Sequence, residues 1–234
     1  MPETPTTRKV PKFNASVLCQ KWDEEDCPSH PAQMGEMLED IFEDMERTEA
    51  MDFYDVGCHI GYYACQVGLN FPFAQVHAFD CNPAACTETA GNLKLNGLSS
   101  ARVVCAALSE APGQFRGMIE NRIGRPATMK AIDMKESSVV PFRVPTIGLG
   151  MYAHQSASNP RVIKMDIEGA EEEAILGLIP AIRGNDARAV YVEIHPRDEA
   201  DQRKIHRVVN LIEDHRFVSH RYEVEGCEQW RFRR

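Results

Sequence analysis

From residue 51 onward, short and nearly continuous apolar runs alternate with longer stretches of helical periodicity. The apolar runs are 51–56 (MDFYDV), 75–79 (QVHAF), 102–108 (RVVCAAL), 161–167 (RVIKMDI) and 188–194 (RAVYVEI). Runs of this kind suit parallel strands buried on both faces. Helical segments are expected between and after them, at 61–70, 83–95, 169–182 and 199–214. The third aligns Ala170, Ala174, Ile175, Leu178 and Ile179, and the fourth Ile205, Val208, Val209 and Ile212. The final stretch, RFVSHRYEVEGCEQWRFRR, reads as two strands joined at Glu225-Gly226, a hairpin that would cover one sheet edge. Strand–helix alternation with right-handed crossovers implies an α/β fold, a doubly wound and mostly parallel sheet.

Residues 1–15 are polar and rich in Pro, Thr and Lys, which predicts a mobile tail. An N-terminal helical cap is expected over 16–50. Met34, Met37, Leu38, Ile41, Phe42 and Met45 fall on one helical stripe there, with Glu36, Glu39, Asp40, Glu43 and Asp44 on the opposite side. That Met-rich helix could also serve as an interface; the oligomeric state itself is not legible. Residues 51–234 then form the main domain. Within it, 109–160 breaks the alternation, holding only short strand-like pieces near 114–119 and 139–146, and is expected as an irregular insert on the substrate side. Residues 116–143 hold six basic side chains (Arg116, Arg122, Arg125, Lys130, Lys135, Arg143) against three acids, a local charge of +3. A solvated loop is the plainer reading; the sharper one is a surface that meets an anionic acceptor.

Charge and cysteine content narrow the function classes. The net charge of -9 disfavours non-specific binding to a phosphate backbone. No run approaches about 18 consecutive apolar residues, so no membrane span is expected, and the N-terminal residues lack the apolar stretch of a signal peptide. The eight cysteines form no CxxC pair, which favours reduced thiols in a cytoplasmic protein over a zinc module or a disulfide framework.

The first apolar run ends in Asp55-Val56-Gly57-Cys58-His59-Ile60-Gly61 and a helix follows. Glycines there permit a sharp turn and close approach of a ligand to the backbone. Asp80 ends the next run, where a carboxylate can accept hydrogen bonds from both hydroxyls of a ribose. A dinucleotide site would show GxGxxG, whereas the spacing is Gly57-x-x-x-Gly61. Asp55, just before the turn, would repel a pyrophosphate and favour a cationic amino-acid head group. S-adenosylmethionine carries such a head group and no phosphate, so it is the expected cofactor, ahead of NAD.

Four segments, DVGCHIGYYA, AFDCNPAACTETAGNLKLNGL, VIKMDIEGAEEEAILG and YVEIHP, resemble the FkbM family of S-adenosylmethionine-dependent methyltransferases. The similarity spans residues 51–220, and DIEGAE is its most specific block. It implies the class I methyltransferase sheet, seven strands with the last antiparallel. It also implies that Asp55, Gly57 and Gly61 hold the methionine moiety, that Asp80 binds the ribose, and that Cys81 and Cys105-Ala106 flank the adenine. His59 stands where the family usually has Asn, and the stretch at Thr146-Ile147-Gly148 lacks the acid that commonly follows.

Ligands of open α/β sheets bind beyond the carboxyl ends of the strands. Asp55, Asp80, Asp166 and His195 occupy four such ends and should converge on one cleft. Methyl transfer is a task of in-line positioning, helped by a base when the acceptor is a hydroxyl. His195 is the candidate base, because an imidazole suits proton uptake near neutral pH. Asp166 and Glu193 are the candidate carboxylates of the catalytic site, with Asp166 also placed to touch the cofactor. Asp166, Glu168, Glu193 and His195 could bind a divalent ion, but their spacing does not demand one, and no metal is expected. The Asn/Asp-Pro-Pro-aromatic motif of many planar-nitrogen methylating enzymes is missing after the fourth strand, which favours oxygen. The expected acceptor is therefore a hydroxyl on a small molecule or sugar. Two alternatives are a tRNA methyltransferase, to whose second-strand region NPAACTETAGNLKLNGL bears some likeness, and an inactive cofactor-binding module.

Overall fold

The computed structural model describes residues 6–9, 16–19, 31–120, 129–132, 142–167, 169–184, 186–194, 199–223 and 228–234. Strands β1 (Thr6–Lys9) and β2 (Ser16–Cys19) pair antiparallel, so part of the expected tail is strand. Helix α1 (Pro31–Arg47) follows. The main domain then runs β3 (Asp52–Val56), α2 (Tyr62–Asn70), β4 (Gln75–Asp80), α3 (Pro83–Leu95), β5 (Arg102–Cys105) and β6 (Ala107–Leu108). Next come β7 (Phe115–Glu120), β8 (Met129–Ile132), β9 (Phe142–Ile147) and α4 (Leu149–Ser156). The remainder is β10 (Pro160–Asp166), α5 (Glu171–Arg183), β11 (Ala189–Ile194), α6 (Glu199–Glu213), β12 (Val218–Tyr222) and β13 (Glu228–Arg233).

Seven strands form the central sheet in the order β12-β13-β11-β10-β3-β4-β5. The five from β11 to β5 are parallel, and β13 lies antiparallel between β11 and β12. The C-terminal hairpin thus covers the β11 edge with its second strand and leaves β12 outermost. From β3 the chain steps through β4 and β5 to one side, then returns to build β10 and β11 on the other. The topological switch point therefore lies between β3 and β10, where open α/β sheets bind ligands.

Strand side chains alternate between two cores. Tyr54, Val56, Ile163, Met165, Val190 and Val192 pack with α4, α5 and α6, while Phe53, Val162, Ala189 and Tyr191 pack with α1, α2 and α3. Period-two alternation with both faces apolar is why these runs looked continuous in the sequence.

Two expectations need correction. Among its described residues the 109–160 insert is more regular than expected: the strand-like pieces near 114–119 and 139–146 are β7 and β9, which with β8 join β6 in a four-stranded sheet in the order β6-β9-β7-β8, and α4 follows. Helix α4 escaped detection because its eight residues carry a short, weakly periodic stripe, buried through Leu149, Gly150 and Ala153. In α1, Met37, Leu38, Ile41 and Met45 are buried as expected, against this chain's own sheet. Each contributes about 1.5–3 kcal/mol of apolar burial. Asp44, however, is fully buried beside that stripe, not on the opposite side. It accepts hydrogen bonds from Tyr191 Oη (2.5 Å), Arg233 Nε (2.7 Å) and Arg47 Nε (2.9 Å), and Asp40 accepts from Tyr222 Oη and Arg231 Nη1 (both 2.5 Å). The arginines of β13 supply counter-charges that helical periodicity alone does not reveal.

Candidate cofactor and catalytic site

The turn after β3 is built around two glycines in the left-handed region, Gly57 (φ +77°) and Gly61 (φ +79°). A Cβ on Gly57 would lie 1.6 Å from the Asp166 carbonyl oxygen, and one on Gly61 would lie 2.8 Å from Thr89 Cγ2. Only glycine fits at either place. Gly57 N and Cys58 N donate to the Phe79 carbonyl at 2.8 and 3.0 Å, tying the turn to β4. His59 is itself left-handed (φ +50°), a conformation in which His and Asn are both enriched. Its N–H donates to Asp80 Oδ2 at 3.0 Å, while its carbonyl accepts from Thr89 Oγ1 at 2.7 Å.

Asp80 ends β4 and also accepts from Asn82 N at 2.8 Å through its other carboxylate oxygen. Burial raises its pKa above the usual range, against the two backbone donors that favour the anion. Cys105 is its register partner on β5, Ala106 N donates to the Asp80 carbonyl at 2.9 Å, and Cys81 is adjoining and half-buried. The four residues expected around ribose and adenine thus meet in one place. Cys86 joins them, its thiol donating to the Asp80 carbonyl at 3.4 Å. Burial pushes the Cys81 thiol up to about 12, so it is a neutral packing group there. Cys58, Cys65, Cys81, Cys86 and Cys105 form no disulfide among the described residues.

Asp55 lies deeper than its sequence position suggests. It is 1% exposed, accepts from Ala64 N at 2.9 Å at the start of α2, and has its pKa pushed up to about 6 by burial. It shapes the turn and the first turn of α2 from beneath. Opposite it on β10 stands Lys164, a buried lysine that the apolar-run pattern passed over; its Nζ is 3.8 Å from Asp55 Oδ1 and 3.7 Å from Asp166 Oδ2. Thr89 and Asn92 of α3 were also passed over. Asn92 Nδ2 donates to the Ile60 carbonyl at 2.8 Å, so α3 underpins the turn from the far side. Nothing local in the sequence marks these contacts, which depend on packing between α3 and the turn.

Asp166 and Glu193 are register partners at the carboxyl ends of β10 and β11. Glu193 accepts from Gln229 Nε2 of β13 at 2.9 Å. Asp166 keeps its side chain 28% exposed, beside the switch point. Glu171 acts at the start of α5: it accepts from Gly169 N at 2.7 Å and from Lys204 Nζ at 2.8 Å. His195 and Glu168 lie outside the described residues. No cluster of three or more His, Cys, Asp and Glu is placed to hold a metal among the described residues. No helix among them is long and apolar enough to cross a membrane.

The cradle fits an adenosine with an amino-acid tail. It offers a close-approach turn without a side chain, a carboxylate at the β4 tip, and small side chains at Cys81, Cys105 and Ala106. Similar folds are found in an O-methyltransferase from Bacillus cereus, crystallised with SAH (11% identity, TM-score 0.54), which covers 89% of this chain and 84% of that one. An rRNA methylase from Streptococcus thermophilus covers 87% and 96% (11% identity, TM-score 0.54). A precorrin-6y C5,15-methyltransferase from Geobacter metallireducens covers 85% and 87% (12% identity, TM-score 0.50). None of the curated proteins matches the sequence. The model of the methyltransferase FkbM domain matches residues 55–219, from the buried acid of β3 into β12. Since that span holds the glycine turn, Asp80, Asp166 and Glu193 together, the chain belongs to the FkbM methyltransferase domain family and is an S-adenosylmethionine-dependent methyltransferase.

Proposed function

We propose that the enzyme methylates a hydroxyl oxygen on a small molecule or sugar. The observation that carries this reading is the register pairing of Asp166 with Glu193 at adjoining strand ends beside the switch point. When bound, S-adenosylmethionine supplies an electrophilic methyl group on a sulfonium sulfur. Two carboxylates side by side accept hydrogen bonds from an acceptor's hydroxyls and orient it, which is the main requirement of an in-line transfer. Glu193 is itself fixed by Gln229, so the acceptor would meet a pre-set oxygen. His195, which follows β11 directly in the sequence, takes the proton as the new C–O bond forms.

Asp80 binds the ribose in this reading, and Asp55, Gly57, His59 and Gly61 the methionine end, with Cys81, Cys105 and Ala106 along the adenine. The rRNA methylase and the O-methyltransferase align equally well, so the fold does not choose between acceptors. The net charge of -9 favours a small acceptor over a polynucleotide. A cytoplasmic location accords with cysteines that form no disulfide among the described residues.

The test is transfer of an isotope-labelled methyl group to three panels: hydroxylated sugars and small molecules, planar nitrogen compounds, and RNA. Label on an oxygen of the first panel is expected, with His195→Ala lowering turnover while cofactor affinity holds. Label on RNA alone would replace this reading with the nucleic-acid one. Cofactor binding without transfer to any panel would mark a binding module.

A further inference from the structure

Lys164 interrupts the apolar run Val162-Ile163-Lys164-Met165 of β10 and is 4% exposed. A buried ammonium is costly unless it is paired. Its partners come from four separate pieces of the site. Nζ lies 3.8 Å from Asp55 on β3 and 3.7 Å from Asp166 at the tip of its own strand. It donates to the Gly57 carbonyl at 3.4 Å and stands 4.9 Å from the centre of the Tyr63 ring on α2. The titratable groups facing it are Asp55 from β3, Asp80 from β4, Cys58 from the turn, Tyr63 from α2, Asp166 from β10 and Glu193 from β11; Asp80 also faces Asp55 and favours its neutral form. Burial works against its charge, but Asp166, Asp55 and Glu193 together outweigh burial and hold the ammonium above the usual lysine range. It is therefore a cation at neutral pH and does not serve as a base.

We propose that Lys164 is the positioning residue of the cofactor site: its ammonium ties the glycine turn to the tip of β10 and keeps Asp55 anionic beneath that turn. The role rests on the assignment of the turn to S-adenosylmethionine. Without the ammonium, Asp55 is a buried carboxylate with the Ala64 N–H as donor and no counter-charge, and it takes up a proton. The turn then loses the tie through Gly57 and the negative charge that complements a cationic head group. Lys164→Met keeps most of the packing volume and removes the charge, and Lys164→Arg keeps the charge.

The experiment is calorimetric titration of the full chain and both variants with S-adenosylhomocysteine from about pH 5.5 to about pH 9. Thermal melts at each pH confirm the folded state. In the wild type, affinity is expected to rise through about pH 6, where Asp55 ionises, and then level off. Lys164→Met should bind at least about tenfold more weakly at pH 7 and recover as pH rises, its midpoint moved up by about one unit or more. Lys164→Arg should stay within about threefold of the wild type. Asp55→Asn should show no midpoint near pH 6. Should Lys164→Met fail to fold, Lys164→Gln and Asp55→Asn carry the same comparison. Wild-type affinity and midpoint in Lys164→Met would overturn the proposal. So would an equal, pH-independent loss in the Met and Arg variants, or a midpoint surviving in Asp55→Asn. No binding by the unaltered chain at any pH would overturn the cofactor site itself, and Lys164's role with it.

Discussion

Gly57 and Gly97 have nearly the same left-handed φ, +77° and +76°, in opposite surroundings. An alanine Cβ at Gly57 would fall 1.6 Å from the Asp166 carbonyl oxygen and 2.7 Å from its carbonyl carbon; at Gly97 it would meet nothing within 4 Å. The pair separates conformational strain from close approach. A non-glycine residue in the left-handed region costs about 1–2 kcal/mol. Gly97→Ala should therefore lower Tm by about 2–8 °C in a chain of this size and leave cofactor affinity intact. Gly57→Ala bears the same strain, and its Cβ–oxygen contact must also open from 1.6 Å to beyond 3.0 Å. The turn and the tip of β10 must then part by more than about an ångström, a displacement that costs about 100-fold where geometry matters. We expect S-adenosylhomocysteine affinity to fall by at least about 100-fold, or about 2.8 kcal/mol. Calorimetric titration beside a melting curve for each variant is the assay. If Gly57→Ala binds within about threefold of the wild type and melts like Gly97→Ala, the contact between the turn and β10 does not position the cofactor.

Three further outcomes are expected. Asp55 has its pKa raised from 3.8 to about 6, so its protonated form is favoured in the folded state. Between those values the unfolded chain ionises while the native one lags. The wild type should thus lose about 3 kcal/mol relative to Asp55→Asn as pH rises from about 4 to about 6, and keep that deficit above it; parallel denaturant curves would refute this. Asp80→Ala should weaken both S-adenosylmethionine and S-adenosylhomocysteine by at least about tenfold, since a ribose contact serves both, and unchanged affinity would remove the ribose assignment. Asp44→Ala leaves the Tyr191 hydroxyl and Arg233 short of a buried acceptor and should cost about 3 kcal/mol by urea titration without changing cofactor affinity; a loss below about 1 kcal/mol would show the network to be dispensable.

The strands and helices of the main domain were legible because their signals are local. Runs such as MDFYDV and RAVYVEI announce strands buried on both faces, Asn82-Pro83 opens α3 with a side-chain cap, and Gly57 and Gly61 announce a turn that other residues resist. The acids at strand ends followed from the same logic, since parallel strands deliver their carboxyl ends to one edge. Sequence alone thus determined the α/β sheet, the cofactor class and the placement of Asp80, Asp166 and Glu193 at strand ends along one edge. What the tertiary structure decided is how those residues meet. Asp44 is apolar-facing only because Arg233 and Tyr191 arrive from strands nearly 150 or more residues away. Thr89 and Asn92 matter because α3 packs under the turn. Lys164, a polar interruption in a strand, becomes the hub of the cofactor site because β10 lies beside β3. A charge in an apolar run has no local explanation; its partner is fixed by strand order, which is a property of the whole chain's burial.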